Sequence, residues 1–201
     1  MHSSPTRIAL TLFGLAAAVA FPARAQWVAT LGLRAARFAG GAKEPATGRF
    51  LHPYRPTVFE AGVARFRGRV GVGLRVHYAS SSLGLEGADA VAAIKDALEV
   101  YGAAPEVSLR VSQLGPDGIL RVFAGPVFEI WKLPDTGSRE RLGVTASLGL
   151  EVPFGGRWGG SARLGAAVTP ASPFNDEDLD TSLERRALWR REISAEVSYR
   201  M

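Results

Sequence analysis

The 201-residue sequence contains no cysteine, which excludes disulfide bridges, thiolate metal sites and cysteine nucleophiles. It also lacks a hydrophobic run long enough for a membrane helix, which needs about 20 consecutive apolar residues. The run at residues 8–21 has only 14. The mean hydropathy of +0.07 is too low for a bundle of membrane helices, and 47% hydrophobic residues is too high for a disordered chain.

The sequence has no strong excess of charge of one sign. The formal net charge is +5, and Arg7 and Arg24 supply two of the positive charges in the first 25 residues. The remaining excess is spread along the chain, without a basic block interleaved with aromatic residues. Nucleic acid is therefore not an expected partner.

The first 25 residues have the features of a cleavable signal peptide. Arg7 precedes the apolar run at 8–21, Pro22 ends it, and Ala23 and Ala25 are small residues at the −3 and −1 positions of a cleavage site. We therefore predict a signal peptide over 1–25 and one exported domain over 26–201, which is a normal size for a single domain.

From Gln26 onward, apolar and polar residues alternate in a period of two, which is typical of strands with two different faces. In 69–80, for example, Val72 and Val76 share one face and Arg75 and His77 the other. Each segment of this kind is close to the about 9–11 residues of a tilted membrane strand. The predicted strands are 27–38, 57–67, 69–80, 105–113, 119–131, 142–153, 158–169 and 188–200.

The connections between these segments alternate between short and long. Short turns follow the second, fourth and sixth strands, and longer loops follow the others. This layout predicts an all-β, eight-stranded, antiparallel up-and-down transmembrane β-barrel. In the second long loop, Val91, Ile94, Leu98 and Tyr101 fall at helical spacing, so a short helix is expected there. The first long loop, 40–56, is rich in glycine, proline and basic residues and is expected to be mobile.

Aromatic residues are concentrated at the ends of the predicted strands, on the apolar face. The middle of that face is aliphatic, with residues such as Val72 and Leu148. Aromatic rings favour the two membrane interfaces, so two girdles are predicted. The girdle beside the short turns contains Trp27, Phe154, Trp158 and Tyr199, and the opposite girdle contains Phe59, Tyr78, Phe128 and Trp189.

The last predicted strand alternates Ile193, Ala195, Val197 and Tyr199 and ends at Met201. In this pattern, and in its overall layout, the chain resembles the small eight-stranded outer-membrane β-barrel family. Members usually end in a final aromatic residue that the barrel-assembly machinery reads; here Met201 takes that place. The resemblance implies the outer membrane of a diderm bacterium as the location, and the barrel-assembly machinery and outer-membrane lipid as partners, with the chain as a monomer.

The polar face of the predicted barrel carries arginines and glutamates in near balance. Unpaired charges are costly in a narrow bore, so cross-strand ion pairs are expected. An eight-stranded barrel leaves little interior space, which favours a structural plug over a narrow, slightly anion-preferring channel. The predicted lumen charges are Arg34, Glu60, Arg69, Arg75, Glu106, Arg110, Arg121, Glu129, Glu151, Arg163, Arg190, Glu192, Glu196 and Arg200.

Four arginines fall instead on the apolar face, near strand ends, where long side chains can reach lipid headgroups: Arg37, Arg65, Arg67 and Arg191. Of these, Arg37 and Arg191 belong to the end with the long loops. For that pair, ordinary snorkelling to the membrane interface is the favoured interpretation, and contact with the phosphates of lipopolysaccharide is the alternative.

Catalytic chemistry finds little support in the sequence. His77 and Ser80 point to opposite faces of a strand, and Ser81 lies about 13 Å from His77 along it. The carboxylates at 176–180 have the first spacings of a calcium loop but lack its later glycine and glutamate. We therefore predict a non-enzymatic barrel without a cofactor, a metal or catalytic residues, structural or surface-binding in role. Two alternatives stay open: a lipid-modifying outer-membrane enzyme, and a soluble lipocalin-like carrier of a small apolar ligand.

Overall fold

The computed structural model describes residues 26–87, 91–133, 137–175, 179 and 182–201, so the predicted signal peptide lies outside the described residues. No helix in these ranges is long and apolar enough to cross a membrane. The regular structure consists of β1 (Gln26–Lys43), β2 (Phe50–Tyr54), β3 (Thr57–Arg67), β4 (Val70–Glu86), β5 (Val91–Leu114), β6 (Gly118–Leu133), β7 (Gly137–Gly155), β8 (Trp158–Thr169) and β9 (Glu184–Arg200).

Eight of these strands close an antiparallel ring. Strands β3 to β9 pair in chain order, and β1 completes the ring by pairing with both β3 and β9. The short strand β2 pairs with β1 and β4 on either side, so β2 and β3 together fill one position of the ring. The predicted eight-stranded up-and-down barrel is confirmed.

The two ends of the barrel differ in their connections. At one end, called the turn end below, β3 joins β4 and β7 joins β8 through two-residue turns. Gly68 and Gly156 begin these turns with φ of 60° and 58°, values that tight hairpins need and glycine adopts without strain. At the opposite, loop end, β4 continues eight residues beyond Tyr78 to Glu86. This adds about 26 Å of wall along the strand.

The predicted helix in the second long loop is wrong. Strand β5 begins at Val91, and its first residues pair with the extension of β4: Glu86 lies opposite Val91, and Ser81 opposite Leu98. Leu98 and Val100 are buried and point inward, so the segment also fits a period of two. The helical spacing of apolar residues did not determine the structure, because a strand here provides hydrogen-bond partners for the edge of β4. A helix would leave that edge unpaired.

The first long loop contains the strand β2, which the sequence analysis did not predict. Gly40 and Gly41 adopt positive φ of 89° and 93°, and the register of β1 against β9 shifts there. Beyond this bulge, Ala42 and Lys43 pair with β2. A bulge of this kind bends and twists the strand while the ladder continues.

The aliphatic face of the wall points outward. Leu31 is 69% exposed and Leu164 61%, and Leu148, Val122 and Ile193 share their exposed face. Arg34, Glu60, Arg75 and their inward neighbours are buried. A lipocalin-like carrier requires the aliphatic side chains inside, so this arrangement overturns that alternative.

Candidate functional site

The candidate site is the lumen, where inward positions of every ring strand bring charged side chains together. Arg34 lies opposite Ser194 and next to β3, and Glu60 lies directly opposite His77. Strand alternation places these groups inside, because neighbours two residues apart point the same way. The registers of neighbouring strands then bring arginines and glutamates within reach of one another.

Four guanidiniums and five carboxylates form one continuous network. Arg190 contacts Glu129 on the far side of the bore and holds Glu192 at 2.8 Å. The remaining links run on towards the turn end. They are Arg34–Glu192 at 3.2 Å, Arg34–Glu60 at 3.7 Å, Arg75–Glu60 at 3.3 Å, Arg75–Glu106 at 3.5 Å, Arg75–Glu196 at 3.0 Å, Arg163–Glu106 at 3.1 Å and Arg163–Glu196 at 3.2 Å.

Arginine side chains also stack on inward-facing phenylalanines, a feature that the sequence reasoning missed. The guanidinium of Arg163 lies 3.6 Å from the ring centre of Phe123, and that of Arg121 lies 4.3 Å from the ring centre of Phe66. Such contacts add an attraction beyond the ion pairs. On β6, Phe123 is an even number of residues from Arg121 and Glu129 and therefore points inward with them. This alternation could have placed its ring in the lumen from the sequence.

Towards the turn end the lumen opens into a cavity of about 340 Å³. Arg121 and Glu151 form an ion pair at 3.0 Å at its side. Arg110 and Arg200 line the same cavity, and Arg110 donates a hydrogen bond to Gln113 at 2.6 Å. Arg69, predicted to lie on the polar face of a strand, is an exposed turn residue. Its carbonyl oxygen accepts hydrogen bonds from Arg110 and Arg121.

Within the network the free space falls to a cavity of about 20 Å³, lined by Arg34, Arg75 and His77 among others. This is close to the volume of a single water site. The imidazole of His77 fills space that Gly102 leaves on the neighbouring strand, and a Cβ at Gly102 would overlap the ring. The Nε2 atom of His77 lies 3.4 Å from Glu129.

At the loop end the interior is apolar, which the sequence reasoning also missed. Trp131 is 0% exposed, and its ring meets that of Phe38 edge-on at 5.9 Å. Both residues continue the inward phase of the charged positions Glu129 and Arg34. The members of this loop-end core are Ala36, Phe38, Val58, Ala79, Leu98, Val100, Trp131 and Leu188.

Residues 172–175, which follow β8, are held against the wall at the loop end. Pro173 and Phe174 are fully buried. The Ser172 hydroxyl donates to the carbonyl of Gly41 at 2.8 Å and accepts from the backbone amide of Phe174 at 3.1 Å. Arg141 donates to the Ser172 carbonyl and to the Asn175 side chain. Residues 172–174 are therefore anchored to the β1 bulge at Gly41 and to Arg141 on β7.

The aromatic residues predicted as girdles lie on the outward face at the two ends. At the turn end, Trp158 and Tyr199 are cross-strand partners with ring centres 4.9 Å apart. At the loop end, Tyr78 packs on Tyr101 at 5.0 Å, so Tyr101 joins the predicted set. The placed residues are Trp27, Phe154, Trp158 and Tyr199 at the turn end, and Phe59, Tyr78, Phe128 and Trp189 at the loop end.

The histidines and serines considered for catalysis have other partners. Ser81 points inward and donates to the carbonyl of Ser82 at 2.9 Å, whereas His77 faces Glu129. His52 lies on β2 and its Nε2 is 3.0 Å from Glu86. The acidic residues 176–178 and 180 lie outside the described residues. Within the described ranges no group of three His, Asp or Glu residues could hold a metal ion.

A closed antiparallel ring with a charged interior, an exposed aliphatic belt and aromatic residues at both rims is the architecture of a transmembrane β-barrel. The chain therefore has the fold of the integral β-barrels of the outer membrane.

Solved structures with the same fold support this assignment. The barrel is similar to Neisserial surface protein A from Neisseria, with a TM-score of 0.63, 8% identity and coverage of 87% of this chain and 97% of that one. It is also similar to OprG from Pseudomonas aeruginosa, with a TM-score of 0.54, 8% identity and coverage of 88% and 95%. A third similar structure is Ail from Yersinia pestis, with a TM-score of 0.50, 13% identity and coverage of 88% of this chain and 99% of that one. No protein-family model and no curated protein sequence matches the chain.

Proposed function

We propose that this chain is a non-enzymatic outer-membrane barrel that is closed to solutes and acts in the envelope as a structural or surface-binding element. The observation that supports this proposal is the succession of two features along one bore. A continuous ion-pair network is followed, towards the loop end, by the buried apolar loop-end core. A conducting pore would need a continuous water-filled path, whereas the space among the network residues is about 20 Å³ and the loop-end core is apolar.

The proposal includes an orientation and partners. The turn end faces the periplasm and the loop end faces outward, as in outer-membrane barrels with short periplasmic turns. The chain is inserted as a monomer by the barrel-assembly machinery and is surrounded by phospholipid and lipopolysaccharide. The alternation of Ile193, Val197 and Tyr199 on the outward face of β9 supports recognition by that machinery.

Purified protein reconstituted in planar bilayers is expected to produce no stable conductance steps, because no water-filled path connects the two ends of the proposed closed bore. Folding is checked in the same sample by heat-modifiable migration on a gel and by far-ultraviolet circular dichroism. A known open porin reconstituted in the same way serves as the positive control. Reproducible single-channel steps from folded protein would contradict the closed-bore proposal.

A charge placed in the middle of the aliphatic belt tests its contact with lipid. Leu148 lies on β7 between Val122 and Leu164, and its side chain points outward. Leu148→Arg is expected to lower the free energy of unfolding in phospholipid vesicles by about 2–4 kcal/mol, the cost of an arginine at the bilayer midplane. Urea titration followed by circular dichroism measures it.

The matched control is Leu114→Arg, at the last residue of β5 beside the turn end, where Leu114 is also exposed. There the same substitution is expected to cost about 0–1 kcal/mol, because arginine reaches the headgroups. Equal costs at both positions would show that residue 148 does not face the hydrocarbon layer.

A further inference from the structure

Arg37 and Arg191 lie directly opposite each other on the outward face of β1 and β9. Like charges in a cross-strand pair repel each other and destabilise a sheet. Within the described part of the chain, neither guanidinium forms an ion pair with a carboxylate. In the part of the chain that the structure describes, no carboxylate therefore neutralises these two charges.

The surroundings of the pair are apolar. Ala39 and Trp189 form the next pair towards the loop end, Ala35 and Ile193 the next pair towards the turn end, and Ala166 lies beside Arg191 on β8. The pair borders a surface groove of about 710 Å³ that Phe50 and Trp189 also line. Glu86 lines this groove too, but its carboxylate is bonded to His52.

The position of the pair along the barrel indicates what covers it. It lies at the level of the loop-end girdle, between Trp189 and the aliphatic belt that includes Ile193. With the loop end outward, this is the headgroup level of the outer leaflet. Guanidiniums form bidentate, charge-assisted hydrogen bonds with phosphate, and two of them facing one another fit a single phosphate group.

We propose that Arg37 and Arg191 together bind a phosphate of lipid A in the outer leaflet, with the acyl chains resting against Ile193 and Leu164. This inference rests on the proposed membrane function and adds a defined lipid site to it. The phosphate offsets the repulsion between the two guanidiniums, so lipid binding is linked to the stability of the β1–β9 seam, where the ring closes.

The test is binding of diphosphoryl lipid A to the folded barrel in detergent micelles, measured by native mass spectrometry. Arg37→Gln/Arg191→Gln is expected to weaken binding about tenfold or more, since charge-assisted hydrogen bonds are lost. The matched control is Arg67→Gln/Arg69→Gln, which removes two exposed arginines at the turn end. It is expected to bind as the unmodified chain does. Dephosphorylated lipid A is expected to bind both forms equally weakly.

A second measurement separates a site from a general charge effect. In detergent without lipid A, Arg37→Gln is expected to raise the thermal unfolding midpoint, because it removes the repulsion from Arg191. With diphosphoryl lipid A present, the unmodified chain is expected to become the more stable of the two. Three results would each overturn the inference. They are unchanged binding of diphosphoryl lipid A by the double variant, binding of dephosphorylated lipid A by the unmodified chain as tightly as diphosphoryl lipid A, and displacement of diphosphoryl lipid A by millimolar inorganic phosphate. If gel migration shows a folded, inserted barrel in these cases, the proposed function stands without the lipid site.

Discussion

Replacing Arg190 with methionine is expected to lower the free energy of unfolding by about 3–5 kcal/mol, the cost of leaving a buried charge without its partner. Glu129 is inside the bore with 1% of its side chain exposed, and Arg190 is the only guanidinium that contacts it among the described residues. His77 is its other close neighbour, at 3.4 Å. Urea titration in detergent micelles, followed by circular dichroism and by gel migration, measures the loss.

The double variant Arg190→Met/Glu129→Leu shows whether the unpaired charge causes this loss. Replacing both members of a buried ion pair with apolar residues of similar size is often close to neutral. Glu192 keeps Arg34 at 3.2 Å in either variant. The double variant is therefore expected to recover most of the stability that the single variant loses, giving a large coupling energy between the two sites. A double variant as unstable as the single one would contradict this explanation.

The control for the single variant is Arg186→Met. Arg186 pairs with Glu184 at 2.6 Å, but their side chains are 54% and 56% exposed. Exposed pairs contribute about 0–1 kcal/mol, because water screens both charges. The same chemical change is thus expected to have little effect outside the bore. A loss of stability as large as that of Arg190→Met would show that the effect comes from replacing any arginine with methionine and not from the burial of the ion pair.

Period-two alternation was enough to predict the inner face for the charges within strands, whereas Arg69, assigned by the same pattern, lies in a turn and is exposed. The face on which a residue lies depends only on its position within its own strand. Arg34, Glu60 and Arg75 could therefore be assigned to one side without knowledge of the fold. Their partners could not be predicted in the same way. Arg190 on β9 reaches Glu129 on β6, and two strands separate them in the ring. Contacts across the bore depend on strand tilt and stagger, which a sequence pattern does not contain.

The loop end shows why strand ends were harder to predict. The predicted strands stop near the girdles, as the thickness of a membrane requires, but β4 and β5 continue beyond Tyr78 and Tyr101. Residues in this extension can satisfy either period: Leu98 and Tyr101 fit a helical face, and Leu98 and Val100 fit a strand. Pairing between neighbours decided the outcome, and this tertiary effect overrides local preference.

The apolar loop-end core makes Trp131→Ala the second substitution with a large expected effect. Trp131 is fully buried between Phe38 and its neighbours inside the ring. Truncating a buried tryptophan costs about 3–5 kcal/mol, through lost transfer energy and the cavity that remains. The same urea titration measures this loss. Because the wall is closed on all sides, its strands have little freedom to collapse into the space.

Two further variants separate interior packing from the general loss of an aromatic ring. Trp131→Phe keeps most of the volume and removes an indole N–H that has no hydrogen-bond partner among the described residues, so a cost below about 1.5 kcal/mol is expected. Trp158→Ala removes a ring that is 53% exposed and packs on Tyr199 at the outer rim. Its expected cost is about 0.5–1.5 kcal/mol, the contribution of one aromatic pair. If Trp131→Ala costs no more than Trp158→Ala, the loop end is not packed as a core, and the closed-bore proposal loses the apolar packing on which it depends.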